Sequence, residues 1–339
     1  MLARTIHNGA CKHGTLQAHC KMNTDQPKSK LAAGIAVRVQ RAGYLLAAIT
    51  LFSLLAQRLW IADILCNFRV QYVLLFAAAI ACLLLLRRWK TVFVFAVFLA
   101  INAAFIWNYL PTTIPVRTDK SLRIMCANVL SSNLNYEAMA KTIAEGDPHV
   151  VAIIEVSPAI AEYFETNATK YPYRHFLARK GNFGIGIMSR VPLTKVETLL
   201  SDPLNLPSYR ISLESDGKTY QLIATHPIPP IGSVKTINRD SQLLQMAGSF
   251  TQEDNRILMG DFNMTPWSPR FHEVLSKGNL VDSGAGFGLT PTWTVFPTLL
   301  GGIRIDHILV SPSIKTNNHR VLEIPGSDHC AVVIDIGVD

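Results

Sequence analysis

The run Met259-Gly260-Asp261-Phe262-Asn263 sets a carboxylate and an amide two residues apart, directly after an apolar segment. Other polar groups stand at the ends of apolar runs in the same way: Asn128, Glu155, His226, Asp306 within Ile305-Asp306-His307, and the pair Asp328-His329. Carboxylate and amide oxygens are hard ligands of the kind magnesium prefers. Histidines that titrate near neutrality move protons or donate to anions. Together these groups are what metal-assisted cleavage of a phosphoester requires.

Each group has a bland reading beside the chemical one. Glu155 closes the run Val150–Ile154, where a buried, unpaired carboxylate would be costly. It reads as a metal ligand or as a solvated strand end. Asn128 reads as a ligand or as an amide that fixes a carboxylate. His226 precedes Pro227, which ends a strand, so it reads as a phosphate donor, a proton carrier or a turn histidine. Asp261 is expected to orient a water or touch the metal, and Asn263 to hold the phosphate. Both would share one face if the chain stays extended, with Gly260 letting it turn at the sheet edge. Asp306 is the expected partner that holds the tautomer of His329, and Asp328 offers a further metal-facing carboxylate. Arg190 and Arg239 are the candidates for substrate binding.

These residues need a scaffold that brings strand ends together. Leu122–Val129, Val150–Val156, Ile185–Met188, Tyr220–Thr225, Arg256–Met259, Ile305–Val310 and Ala331–Ile336 are short apolar runs bounded by turn residues and read as strands. Tyr136–Ala144, Ala159–Thr166 and Asp240–Ser249 have helical spacing. The irregular alternation points to a layered α+β domain over residues 122–339 rather than a doubly wound parallel sheet. Cys126 and Cys330 each flank a candidate site residue; they read as buried thiols, with a disulfide as the alternative in an oxidising compartment.

The chain before this domain is of another kind. Of 339 residues, 49% are hydrophobic, which suits a membrane part joined to a soluble one. The net charge of +8 is misleading. Residues 1–120 hold 14 of the 32 Lys/Arg but 3 of the 24 Asp/Glu, so the remainder, with 18 and 21, is mildly acidic. The basic balance belongs to membrane flanks and gives no signal for nucleic acid. Residues 1–41 are polar and basic and read as a disordered tail. Its His7, Cys11, His13, His19 and Cys20 fit no standard zinc spacing, and Met22 offers an alternative start. Three apolar runs follow within 42–110, at 42–60, 70–86 and 91–110, and read as transmembrane helices. Residues 111–121, with two prolines, read as a linker. Lys28, Lys30, Arg38 and Arg41 before the first span, and Arg87, Arg88 and Lys90 between the second and third, favour the cytoplasm. The C-terminal domain would then lie outside. Arg58, Arg69, Arg117, Lys120 and Arg123 on the other side weaken that bias.

The motifs taken in order resemble the endonuclease/exonuclease/phosphatase superfamily, the deoxyribonuclease-like metal phosphoesterases. The matching pieces are Cys126-Ala-Asn128, Ile154-Glu155-Val156, Gly184-Ile-Gly-Ile-Met-Ser-Arg190, Thr225-His226-Pro227, Gly260-Asp261-Phe262-Asn263, Thr292-Trp293, Ile305-Asp306-His307-Ile308-Leu309 and Ser327-Asp328-His329. The resemblance covers about Leu122 to Ile336. It implies an α+β fold, a four-layer α/β/β/α sandwich of the deoxyribonuclease-like type, here preceded by three transmembrane helices. It implies Mg²⁺ or Mn²⁺ held by Glu155 with Asn128 and Asp328 nearby. His226 and Asn263 would meet the phosphate, Asp261 the attacking water, and Asp306 would pair with His329. Whether Asp261 or His329 takes the water's proton is left open.

The expected function is a membrane-anchored phosphoester hydrolase, a phosphodiesterase or nuclease. Its partners would be a phosphoester substrate and the lipid bilayer, and no protein partner is indicated. A multi-pass anchor of this kind suggests a bacterial inner membrane with the domain on the periplasmic side. A phospholipid headgroup phosphodiesterase or phosphatase of the same fold is the alternative, because the domain is not basic and the loop Pro227–Lys235 is apolar and proline-rich. That loop also reads as merely rigid. A catalytically inactive interaction module is the second alternative, although every expected position is filled. A transport or sensing role for the helices finds no charged residue in mid-span.

Overall fold

The computed structural model describes residues 25–115, 121–201, 203–252, 254–294 and 300–337. The histidines and cysteines of the N-terminal tail, and Met22, lie outside them.

Four helices come first: α1 (Asp25–Ser53), α2 (Trp60–Cys66), α3 (Arg69–Leu85) and α4 (Trp89–Ile106). α1 begins at Asp25, inside the stretch expected to be disordered. From Ala36 onward the helix has a partner to pack on, since Ala36 is buried in one cluster with Tyr72, Phe76 and Phe95. Two helical segments, Lys30–Ser53 and Trp89–Tyr109, are long and apolar enough to cross a membrane. The second expected span, 70–86, is the single helix α3, of 17 residues. It counts as a third span only together with α2, which meets it at 63° across Asn67 and Phe68. Gln40 bonds to Thr91 at 2.7 Å and Asn102 to Thr50 at 3.2 Å, which sets α1 and α4 side by side in the same direction.

The rest of the chain folds into two six-stranded sheets. Its strands are β1 (Ser121–Asn128), β2 (Val150–Ile154), β3 (Tyr173–Leu177), β4 (Ile185–Ser189), β5 (Leu193–Ser201), β6 (Leu206–Ser215), β7 (Lys218–Thr225), β8 (Arg256–Asp261), β9 (Val281–Asp282), β10 (Trp293–Thr294), β11 (Gly302–Ile303), β12 (Asp306–Val310), β13 (Thr316–Glu323) and β14 (Cys330–Gly337). The first sheet runs β13-β14-β1-β2-β4-β3 and the second β5-β6-β7-β8-β12-β9, with β10-β11 a small ribbon. Helices α5 (Tyr136–Gly146) and α6 (Pro158–Asn167) cover the first sheet, and α7 (Ser233–Ala247) and α8 (Pro269–Gly278) the second.

Strand alternation builds the layers. Ile124, Cys126, Ala152 and Ile154 face Ile211, Leu222, Ile257 and Met259 between the sheets. Met125, Val151 and Ile153 face outward onto Met139, Ile143, Ile160 and Phe164. Ile223, Leu258 and Leu309 do the same onto Leu243, Met246 and Phe271. Both faces of the central strands are therefore covered, which is the four-layer sandwich expected. Cys126 and Cys330 are free thiols.

Register gathers the chemistry at one edge. β1 and β2 are parallel, with Asn128 opposite Ile154, so Asn128 and Glu155 leave their strands together. β7 and β8 are parallel, with Thr225 opposite Gly260, so His226 and Asp261 do the same. β12 runs antiparallel and sets Asp306 opposite Asp261. β14 runs antiparallel to β1, with Val332 opposite Cys126, which brings His329 back to the end of β1.

The helical part docks against this edge. Asp63 and Asn67, at the corner between α2 and α3, are buried. Asn67 Oδ1 accepts from Thr265 N at 2.9 Å and Thr265 Oγ1 at 2.7 Å, and its carbonyl accepts from Trp267 Nε1 at 3.0 Å. Asp63 Oδ1 accepts from Ser268 Oγ at 2.9 Å. Tyr109, after α4, packs edge-on against Trp267 at 5.9 Å.

Candidate active site

Glu155 has a left-handed backbone, φ 66°, which turns its side chain back toward the strand edge. Its Oε1 accepts from Asn128 Nδ2 at 3.2 Å and its Oε2 from Ser131 N at 3.1 Å. Burial raises the Glu155 carboxyl above its ordinary value, and these two hydrogen bonds oppose that. Asn128 Nδ2 also reaches Asp261 Oδ2 at 3.2 Å, while its Oδ1 accepts from Leu130 N. The amide thus bonds two carboxylates, the second of its two readings, while the first is untouched by these contacts.

Asp261 stands at the centre. Its Oδ1 accepts from Asn263 N at 2.9 Å. Its Oδ2 lies 3.5 Å from His226 Nε2 and 3.6 Å from His329 Nε2. Burial pushes the Asp261 carboxyl well up, with His329 as the main opposing charge. His329 Nδ1 meets Asp306 Oδ2 at 2.9 Å, the pairing expected from the sequence. Burial alone would lower the His329 imidazole. The carboxylates of Asp306 and Asp261 outweigh it and hold the group above its ordinary value. His226 goes the other way: burial, aided by His329, pushes it down to about 4. Its Nδ1 faces the carbonyl oxygen of Asn182 at 3.0 Å, which can only accept, so that nitrogen carries the proton.

This edge can hold a cation. Ligand atoms of Asp261, Asp306 and His329 all lie within 4.8 Å of one another. Asp306 Oδ1 is buried with no hydrogen-bond partner, a cost that a bound cation would remove. Glu155 and Asp328 line the same cavity. Oxygen-rich donors of this kind suit a hard divalent ion.

The cavity measures about 720 Å³, and Glu155, His226, Asp261, Asn263, Asp328 and His329 all line it. Asp328 is exposed and accepts from Trp293 Nε1 at 2.9 Å. Asn263 does not continue an extended strand. It turns left-handed at φ 52°, and its Nδ2 bonds to Pro227 O at 3.1 Å. Gly260 is not a turn either. It lies inside β8, where a Cβ would stand 1.8 Å from the Thr225 carbonyl oxygen, so glycine is what lets β7 and β8 close.

The two arginines lie elsewhere. Ser189 pairs with Val150 at the start of β2, so Arg190 sits at the opposite end of the sheet from Glu155. There it bonds Asp147 and lies over Tyr171. Arg239 is fully buried and does not line the cavity. It bonds Asp240, the Asn263 carbonyl at 3.1 Å and Asp63 at 2.8 Å. Neither is placed to meet a substrate in that cavity.

Sequence reasoning passed over several lining residues. Asn182 and Phe183 precede the motif Gly184–Arg190, and Ile64, Asn67 and Phe68 come from the helical part. The one signal for the latter was a polar pair, Asp63 and Asn67, between two apolar runs.

Residues 125–329 match the Endonuclease/Exonuclease/phosphatase family, and the chain belongs to it. Solved structures show the same fold. D. rerio TDP2 complexed with single strand DNA product is 20% identical, with a TM-score of 0.54 over 65% of this chain and 100% of that one. The 3′-5′ exonuclease NExo from Neisseria meningitidis is 19% identical, with a TM-score of 0.52 over 64% and 100%. The human Nocturnin catalytic domain with bound sulfate anion is 20% identical, with a TM-score of 0.51 over 66% and 96%. No curated protein matches the chain.

Proposed function

We propose that this protein is a membrane-anchored, divalent-metal-dependent phosphoester hydrolase, with phosphodiesters as its substrates. One observation carries the reading: Glu155, Asp261, His226 and His329 converge on one cavity from both sheets, with Asp306 bonded behind His329.

A bound Mg²⁺ or Mn²⁺ would neutralise charge that builds on the phosphoryl oxygens. Glu155 and Asp328 are the ligands we assign to it, with the open Oδ1 of Asp306 facing the same requirement. Asp261 orients the attacking water from the centre of the site. Its raised carboxyl and the charged His329 beside it form the couple through which the water's proton leaves. Asp306 keeps the His329 proton on Nδ1, and so turns Nε2 toward Asp261. The Asn263 amide donates to the phosphate, and His226 Nε2, which has no proton in the neutral ring, must take one before it can donate there.

The helical part serves as the anchor in this reading. Asn67, Gln71 and Asn108 contact the domain, so the turn carrying Arg87 and Arg88 lies at the far end of α3, about 25 Å away for its 17 residues. With that basic end on the cytoplasmic side, the catalytic domain would lie outside an inner membrane.

The test is turnover by the full chain in detergent micelles, with Mg²⁺, Mn²⁺ or EDTA. Substrates would be bis(p-nitrophenyl) phosphate, plasmid DNA, single-stranded DNA and RNA. Metal-dependent turnover that disappears in a folded His329→Ala variant supports the reading. Equal turnover by that variant would sink it.

A further inference from the structure

The wall of the catalytic cavity is not made by the catalytic domain alone. Ile64 and Phe68, from the corner between α2 and α3, line it on one side. The proline-rich loop lines it on another, with Ile228 and Ile231. Ile64 and Phe68 lie at the bend between α2 and α3, just before the apolar run 70–86, so with that run in a bilayer the mouth of the cavity would adjoin its surface. A nucleic-acid groove would have basic side chains along its length. Here Lys235 is the single lysine or arginine in the lining, and apolar groups outnumber it.

The loop also carries an apolar ridge into solvent. Ile231, Val234 and Ile237 are 68%, 68% and 65% exposed, at steps of three residues across the first turn of α7. Further along that helix the exposed positions are polar, Ser241 and Gln245. Three large aliphatic side chains held in water are unusual unless something covers them. They are confined to the end of α7 that borders the cavity, with Lys235 among them. A short aliphatic ridge with a lysine is how a protein surface seats in the headgroup layer.

We propose that this ridge rests in the bilayer surface and that the cavity takes the phosphodiester headgroup of a membrane phospholipid. The lipid phosphate reaches Asn263 and His226, while its chains stay along Phe68 and Ile231, continuous with the bilayer. Water forms a new P–O bond and one ester P–O bond breaks. The water's proton leaves through Asp261 and His329, and the departing alcohol takes up a proton. Water is the one co-reactant. The proposal rests on the hydrolase reading above and narrows its substrate.

Val234 and Ile237 do not line the cavity, so the variant Val234→Ser/Ile237→Ser separates bilayer seating from chemistry. The full chain would be reconstituted in vesicles of phosphatidylglycerol and phosphatidylethanolamine with Mg²⁺. Wild type should release phospholipid headgroup, and the variant should do so about tenfold more slowly. Both should turn over bis(p-nitrophenyl) phosphate equally. Independently of activity, Ile237→Trp should be quenched by brominated phosphatidylcholine beyond the wild-type level. Soluble diester or DNA cleavage with vesicle lipid intact would overturn the lipid proposal and leave the hydrolase standing. So would an Ile237→Trp side chain that brominated lipid does not quench. Absence of turnover on every phosphoester by folded protein would overturn both.

Discussion

Arg239 and Asp63 form an ion pair at 2.8 Å between the catalytic domain and the helical segment, across 176 positions of sequence. Both side chains are buried to within 1%. The same guanidinium holds the carbonyl of Asn263, so the helical corner is tied to the loop that carries the phosphate contact proposed above. Asp63→Ala should leave a buried cation short of a partner and destabilise the full chain by about 3 kcal/mol. Turnover should fall with it, and Asp63→Asn, which can still accept from Ser268, should fall between. Thermal unfolding in detergent together with kcat checks this. Wild-type values for Asp63→Ala would dismiss the tie.

Asp306→Asn should reduce kcat by about 10²–10⁴-fold with little change in folding. The amide cannot hold His329 charged, so the imidazole should move down toward its ordinary range. The sign follows from the raised native value: the pair's contribution to stability is present at low pH and is lost as pH rises through that value. The metal-free wild type should therefore lose stability at alkaline pH, and Asp306→Asn should not. Parallel unfolding curves in EDTA across alkaline pH would contradict it.

A divalent cation should stabilise the folded protein as well as activate it. At a hundredfold Kd the expected gain is about 2.7 kcal/mol. Glu155→Gln should weaken that gain and the turnover together. Calorimetric titration with Mg²⁺ and Mn²⁺ decides the point, since an unchanged isotherm in the variant would remove Glu155 from the ligand set.

Arg190→Ala should leave kcat/KM unchanged, because its partners lie at the far end of the first sheet. Its hydrogen bond to Asp147 lowers that carboxyl, so the pair's contribution is present above the ordinary carboxylate range and lost as pH falls through the native value. Asp147 is largely exposed, so the loss at neutral pH should be under about 1 kcal/mol. Acid unfolding of variant and wild type measures it. A raised KM for the variant would restore Arg190 as a substrate contact.

Gly260→Ala should destabilise the domain by about 3 kcal/mol or more, since its Cβ meets backbone rather than a movable side chain. Loss of activity at temperatures where the variant stays folded would show Asp261 displaced with its strand.

What could be read from sequence follows burial. β1, β2, β4, β7, β8, β12 and β14 lie inside the sheets or are covered on both faces, and each reads as a continuous apolar run. β3, β5 and β13 are edge strands and β6 lies next to an edge, and their charged positions, such as Lys195, Glu197, Arg210 and Arg320, hide the pattern. Asn128, Glu155, His226 and Asp261 were legible because each closes an apolar strand, and Asp306 and His329 because each opens one. Arg190 follows a strand too, but β4 runs the other way, and direction cannot be read from a single run. Arg239 was legible as a cation but not as a buried one. Its partner Asp63 belongs to a segment whose apolar flanks hide any role beyond anchoring.

The corner at Asn67 also orders events in time. Ribosomes complete Asp63 and Asn67 about 200 residues before Thr265, Trp267 and Ser268, which bond to them. The corner is therefore made before the loop that closes upon it. The catalytic domain made alone would carry every catalytic side chain and still lack the surface that Asp63 and Asn67 offer that loop.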